Sequence, residues 1–213
     1  MDQFLRSTDI IDWQHPDVRS LAESLAAGLD DPVEIARRCF VWVRDEIKHS
    51  RDYRLSPVTC SASEVLKVGS GYCYAKSHLL AALLRANGIP AGLCYQRLSR
   101  DENGEPYSLH GLNAVYLPEY GWYRIDARGN RPGVKAEFCP PKEQLAFPIK
   151  LPGEADLPEI WPDSLPVVVE ALRSHKSAEE LWECLPDITL WTVGGGLHVR
   201  PIADTGKSRQ NLE

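Results

Sequence analysis

The chain has 213 residues, 43% of them hydrophobic and 25% charged, a length and balance that suit one domain with a full core rather than two large ones. A net charge of −6 and a pI near 5.6 argue against a nucleic-acid or anionic-membrane partner. No apolar run approaches the ~20 residues that a membrane-spanning helix needs.

Helices are predicted over residues 17–29 and 32–48. In the second, Val33, Ala36, Phe40, Val43 and Ile47 recur at spacings of three and four, an apolar stripe for a core. Asp31 can cap it, and Pro32 suits its first position. Trp42 lies off the stripe, and packing accounts for it better than a place in a cleft. Residues 49–60 read as a polar loop containing Pro57. Ser61 and Glu64 then have capping-box spacing for a short helical turn over 61–66. A glycine elbow, Gly69-Ser70-Gly71, leads into a helix over Tyr74–Asn87 with Leu79, Leu80, Leu83 and Leu84 on one flank. Asn87-Gly88 and Pro90 stop it.

Ala91–Leu98, Leu109–Leu117 and Trp122–Ala127 read as strands, with Asn103-Gly104 as a hairpin signal and a turn over Pro118–Gly121. His110 and Asp126 therefore fall on neighbouring antiparallel strands. By alternation His110 shares a face with Leu112 and Ala114, and Asp126 with Trp122 and Arg124; whether the two faces coincide depends on register. After residue 130 the texture changes, because eight of the 16 prolines lie between Pro132 and Pro166. That stretch is a wrapping or linking segment. Residues 167–174 and 177–185 can be helical, with Ser177 and Glu180 as a second capping box. The triplet Gly194–Gly196 lacks the Lys-Ser/Thr pair of a phosphate loop. The organisation expected is one domain over 1–193 and a flexible tail over 194–213. Within the domain lie a core over about 33–130, a wrapping segment over 131–166 and a helical extension over 167–193.

Six cysteines are present: Cys39, Cys60, Cys73, Cys94, Cys139 and Cys184. None pairs with another as CxxC, so a zinc site is not expected. The start of the chain, Met1–Asp9, has no basic and apolar leader, which predicts a cytoplasmic protein with free thiols. Five of the six cysteines read as small buried side chains. Cys73 differs, because it follows the glycine elbow and opens a helix. The unpaired N–H groups and dipole of a helix start favour a thiolate. His110 follows 37 residues later and Asp126 a further 16. A thiol, an imidazole and a carboxylate in that order can serve as nucleophile, base and orienter, with the carboxylate on His Nδ1–H. An ion pair of Asp126 with Arg124 or Arg128 is the competing account of that carboxylate. His78 lies five positions along the helix from Cys73, about 140° around it, and points away from the sulfur. His15, His49, His175 and His198 read as surface residues. Tyr72, Tyr74, Tyr95 and Trp122 are candidates for lining a cleft, with Tyr72, Tyr74 and Trp122 taken as substrate contacts. The Cys73 backbone N–H is the natural first oxyanion donor.

The stretch from Ile35 to about Asn130 resembles the core of the transglutaminase-like superfamily, which groups with the papain-like cysteine enzymes. The resemblance rests on Ala62–Leu66, Gly69–Lys76, Leu83–Ala91, His110 before an apolar strand, and Trp122–Asp126. It implies an α+β domain with a cysteine at the start of a central helix packed on an antiparallel sheet. It also implies the triad Cys73, His110 and Asp126, with no cofactor or metal. The family pattern often continues after the aspartate as Pro-Thr; here Ala127-Arg128-Gly129-Asn130 follows.

The activity expected is cysteine-based acyl transfer on a peptide or small amide, as a peptidase or amidase or, with an amine acceptor, a transamidase. Hydrolysis is favoured by the resemblance alone. Two alternatives remain at this stage: an arylamine N-acetyltransferase-like enzyme using acetyl-CoA, and a non-catalytic binding module on the same fold.

Overall fold

The computed structural model describes residues 1–101, 103–193 and 196–201. After a 3-10 turn at Asp2–Phe4 come α1 (Pro16–Ala26) and α2 (Pro32–Glu46). The cap expected for α2 is made, since Asp31 Oδ1 accepts from Val33 N at 2.9 Å. The next stretch is more ordered than a polar loop. Lys48–His49 (β1) pairs in parallel with Ser70–Gly71 (β2), and Ser50–Tyr53 forms the short helix α3. The buried ring of His49, edge-on to Tyr72 at 5.5 Å, anchors its start. Between them α4 (Ala62–Val68) closes both halves of the Ser61–Glu64 capping box.

Helix α5 (Cys73–Ala86) runs through the middle of the molecule, and every residue of it except Ala86 is buried. Its polar side chains are hydrogen-bonded, as burial requires. Lys76 Nζ donates to the carbonyls of Ile47 and Arg44 at the end of α2. Arg85 donates to Ala91 O at 2.9 and 3.0 Å, and to Arg6 O and Pro162 O. His78 sits between Cys60 O at 2.8 Å and Ser164 Oγ at 2.9 Å, turned away from Cys73 as its helical phase requires.

An antiparallel sheet packs against α5. It is built from β3 (Ala91–Ser99), β4 (Tyr107–Leu117), β5 (Gly121–Ile125) and, after the hairpin β6 (Glu137–Cys139) and β7 (Lys142–Gln144), from β8 (Ala155–Asp156), in the order β5-β4-β3-β8. Alternation splits each strand between two buried faces. Leu93, Tyr95, Leu109, Val115, Tyr123 and Ile125 join the helical core. Cys94, Leu112 and Ala114 face the other way, under Trp122, Leu145 and Ile160. The proline-rich segment supplies the last two of those, and Trp161 exchanges backbone bonds with Leu93 at 2.7 and 2.9 Å. Both faces are thus dry, which explains an almost continuous apolar reading in β3 and β4. Trp42 packs on the helical core.

The chain continues through α6 (Pro166–Ser174) and α7 (Ala178–Glu183) to an antiparallel hairpin of β9 (Ile188–Val193) and β10 (Gly196–Pro201). A strand over Gly196–Pro201 corrects part of the expected tail. Residues 188–193 and 197–200 are rich in β-branched and apolar residues, which suits strands. Gly194, Gly195 and residues 202–213 of that tail lie outside the described residues. The other cysteines divide: Cys39, Cys60 and Cys94 are buried as expected, whereas Cys139 is half-buried and Cys184 exposed.

Candidate active site

Two glycines set the approach to Cys73. Gly69 ends α4 at φ +75°, a left-handed conformation that costs other residues. At Gly71 a Cβ would come to 3.1 Å from Ala75 Cβ and Thr59 Oγ1, tight enough that a side chain there would push these neighbours aside. The chain then enters α5 at Cys73. Tyr72 holds the N-cap position without a side-chain cap, which leaves the first-turn N–H groups to a sulfur or an oxyanion.

Strand β4 brings His110 to the same place. The N–H groups of alternate residues in a strand point to one side. On the side of β4 away from β3, Leu109 N donates to Pro186 O at 2.8 Å and Gly111 N to Cys73 Sγ at 3.4 Å. β5 stops at Ile125, short of both, so the sulfur occupies the edge that a longer strand would have paired. Asp126 is the first residue past β5 rather than a strand residue. Asn113 opposite Ile125 places Asp126 across from Leu112, diagonal to His110 and on the same face.

His110 Nε2 meets Asp126 Oδ2 at 2.8 Å, both groups buried. The carboxylate therefore holds Nε2 rather than the Nδ1 expected above, which leaves Nδ1 unclaimed by Asp126. Asp126 also accepts from Arg128 N on Oδ1 at 3.0 Å and from Ala146 N on Oδ2 at 3.1 Å. The competing ion pairs are not made. Arg124 is taken by Glu143 and Asp156 at 2.7 Å each, and the Arg128 guanidinium forks onto Asp52 at 2.6 and 2.8 Å. Burial alone would push the His110 pKa down. The charge of Asp126, the nearby Cys73 sulfur and the hydrogen bond to Asp126 prevail and raise it from 6.5 to about 10. Burial would likewise raise Asp126, but the His110 charge and its N–H donors hold it below the ordinary carboxylate value.

Cys73 and His110 open on a cavity of about 280 Å³, with Asp126 buried behind the imidazole. Tyr72 and Tyr74 line it, each fixed through its hydroxyl, to Ala178 O and Leu109 O. Trp122 does not. It pairs with Tyr116 at the far end of β5 and packs edge-on against Phe4 at 4.8 Å. Tyr95 is also elsewhere, edge-on to Trp161 at 5.4 Å beneath the sheet. His49 corrects a further expectation, since it is buried rather than on the surface and lines the cavity. Burial, then the charges of Arg128, Lys76 and His110, push its pKa well below 6.5 and keep the ring neutral.

Several residues of the site carry no sequence signal. Phe147 stands edge-on to the His110 ring at 5.1 Å, and Ala146 N reaches Asp126; both come from the proline-rich segment. Trp182 comes from α7. Gly111 was legible only as the neighbour of His110.

The family model of the transglutaminase-like superfamily matches residues 19–127. No curated protein matches the chain. Among solved structures, a proposed cysteine protease of Cytophaga hutchinsonii aligns with a TM-score of 0.47 and 21% identity over 59% of this chain and 40% of that one. The periplasmic domain of TgpA from Pseudomonas aeruginosa aligns at 0.42 and 24% identity, over 58% and 45%. A proposed protease of Parabacteroides distasonis aligns at 0.41 and 13%, over 64% and 26%. This chain spans less than half the length of each of them. With the family match covering just over half of the sequence, and with a helix-opening cysteine packed against an antiparallel sheet, the chain belongs to the transglutaminase-like superfamily.

Proposed function

We propose that the protein is a cysteine-nucleophile acyl-transfer enzyme acting on amide or isopeptide bonds, with Cys73 as nucleophile, His110 as acid–base and Asp126 as orienter. The observation that carries this is the buried His110–Asp126 bond at 2.8 Å beside a sulfur that opens a helix. A protonated His110 places a cation, and a transferable proton, beside the sulfur. The sulfur attacks the amide carbonyl, and negative charge moves onto its oxygen. The Cys73 N–H, uncapped at the start of α5, is placed to receive that charge. His110 gives its proton to the departing nitrogen as the C–N bond breaks, leaving a thioester on Cys73. Asp126 holds Nε2 throughout, so that Nδ1 serves the reacting groups. Water then releases an acid, with His110 taking its proton, and the enzyme acts as a hydrolase. An amine in place of water gives a transamidase.

The test is a mass-spectrometric screen of peptide amides with wild type and Cys73→Ala, with and without a primary amine. Cleavage that depends on Cys73 supports hydrolysis, and amine incorporation moves the reading to transfer. Acetyl-CoA consumption in the same screen would replace it with an acetyltransferase. Wild-type Cys73 no more reactive than Cys184 toward a neutral alkylating agent would sink the catalytic reading.

A further inference from the structure

The cavity over Cys73 is cationic in a chain that is acidic overall. Arg51, Arg100, Arg128, Arg131 and Lys150 line it, against Glu154 alone among carboxylates. Some of that charge is answered locally. Asp52 forks onto Arg128 and lies 3.6 Å from Arg131 Nε. Glu154 accepts from the backbone N–H groups of Ser99, Lys150 and Leu151 at 2.8–3.0 Å, which makes it a staple for its loop.

Arg51 and Arg100 are different. Both guanidiniums lie over the ring of Trp182, at 4.3 and 4.7 Å from its centroid. Each is half-buried, and neither has a carboxylate within ion-pair distance among the described residues. Arg100 also donates from a terminal nitrogen to Trp182 O at 2.5 Å, yet its buried Nε has no hydrogen-bond partner. Glu179 on α7 is exposed and outside the lining. One indole thus carries two like charges that both line the cavity. The ring offsets part of their repulsion, and an anion in the cavity within reach of both would offset more. Planar guanidinium forks match a carboxylate in shape as well as charge.

We infer that the amide substrate of this site carries a carboxylate close to the bond that is cleaved, and that Arg51 and Arg100, held on Trp182, receive it. This rests on the reading of Cys73 as nucleophile and adds the substrate class. Neutral amides are then poor substrates, and binding weakens with salt, since charges in a cleft act over about 8 Å at physiological ionic strength.

The test needs no known substrate. Cys73 of the full chain is alkylated by iodoacetate and by iodoacetamide, a matched anionic and neutral pair, and the ratio of the two rates is followed by mass spectrometry. The neutral reagent corrects for changes in thiolate population. The His110 imidazolium also favours iodoacetate, so the informative quantity is the change in ratio on Arg51→Gln, Arg100→Gln and their double variant. A fall of about tenfold in the double variant is expected, with Arg51→Lys and Arg100→Lys retaining most of the ratio. The single variants, each expected to lower the ratio several-fold, read the same contribution should the double variant not fold. A ratio unmoved by the substitutions, with Cys73 still selectively reactive, overturns the inference and leaves the catalytic reading intact. Loss of Cys73 selectivity toward iodoacetamide in wild type would instead remove the reading beneath it.

Discussion

Gly111 donates its backbone N–H to the sulfur of Cys73 at 3.4 Å, and it does so because it has no side chain. A Cβ there would stand 2.9 Å from Tyr74 Cδ1 and 3.1 Å from Tyr74 Cα, which is helix backbone. β4 can press onto the first turn of α5 only at a glycine. Gly111→Ala should therefore lift the strand off the helix, at about 1–3 kcal/mol of stability, typical of an overpacked core. The diagnostic effect is on Cys73, whose iodoacetamide labelling should fall well beyond what the melting shift explains. Labelling at the wild-type rate would show that the close approach does not matter to the sulfur.

Cys73→Ala should abolish acyl transfer with little loss of fold. The thiol is small and 7% exposed, and the bond that Ser77 makes to residue 73 goes to its backbone carbonyl, which alanine keeps. Kinetics and thermal melts run in parallel check this. Wild-type turnover in the variant would overturn the mechanism.

Asp126→Asn should weaken catalysis less than His110→Ala, because the carboxylate orients the ring while the ring moves the proton. An amide can still accept from Nε2, but it cannot oppose the burial that lowers the His110 pKa. Titrating His110 by NMR should give a high value near 10 in wild type and a marked fall in Asp126→Asn. No movement would mean that another group holds the imidazolium.

The same shift makes stability depend on pH. His110 is raised from 6.5 to about 10, so its contribution is fully present below pH 6.5 and lost as pH climbs through 10. Asp126 is depressed, so its contribution is present above its unfolded value of 3.8 and lost in stronger acid. Between pH 7 and 10 the wild type should lose stability relative to His110→Gln. Parallel pH–melting curves for the two proteins would contradict the assignment.

Residues 135–165 should resist limited proteolysis, and cuts there should cost Cys73 its reactivity. The stretch supplies Ala146 N to Asp126, Phe147 to the His110 ring and Leu157 N to Tyr95 O at 3.0 Å. Arg37 holds Phe138 O at 2.7 Å. Early cleavage with labelling intact would make it a loose linker.

The amino-acid sequence by itself determined the local elements and the chemistry they carry. The capping box at Ser61–Glu64, the stop at Asn87-Gly88, the apolar flanks of α5 and the order Cys73, His110, Asp126 all rest on contacts within a few residues or on residue type. Periodicity and capping act over one or two turns, so they can be read from neighbours alone. The tertiary structure decided what depends on distant pairing. Only the register of β4 on β5 puts His110 diagonal to Asp126 and leaves the edge beside Gly111 open to the sulfur. Only packing buries His49, turns Trp122 toward Phe4, and brings Ala146 and Phe147 from a proline-rich stretch without periodicity to the imidazole. The cationic lining of the cavity is likewise assembled from separate parts of the chain. Its sign runs against the net charge, because a cleft's field is set by the few side chains that converge on it.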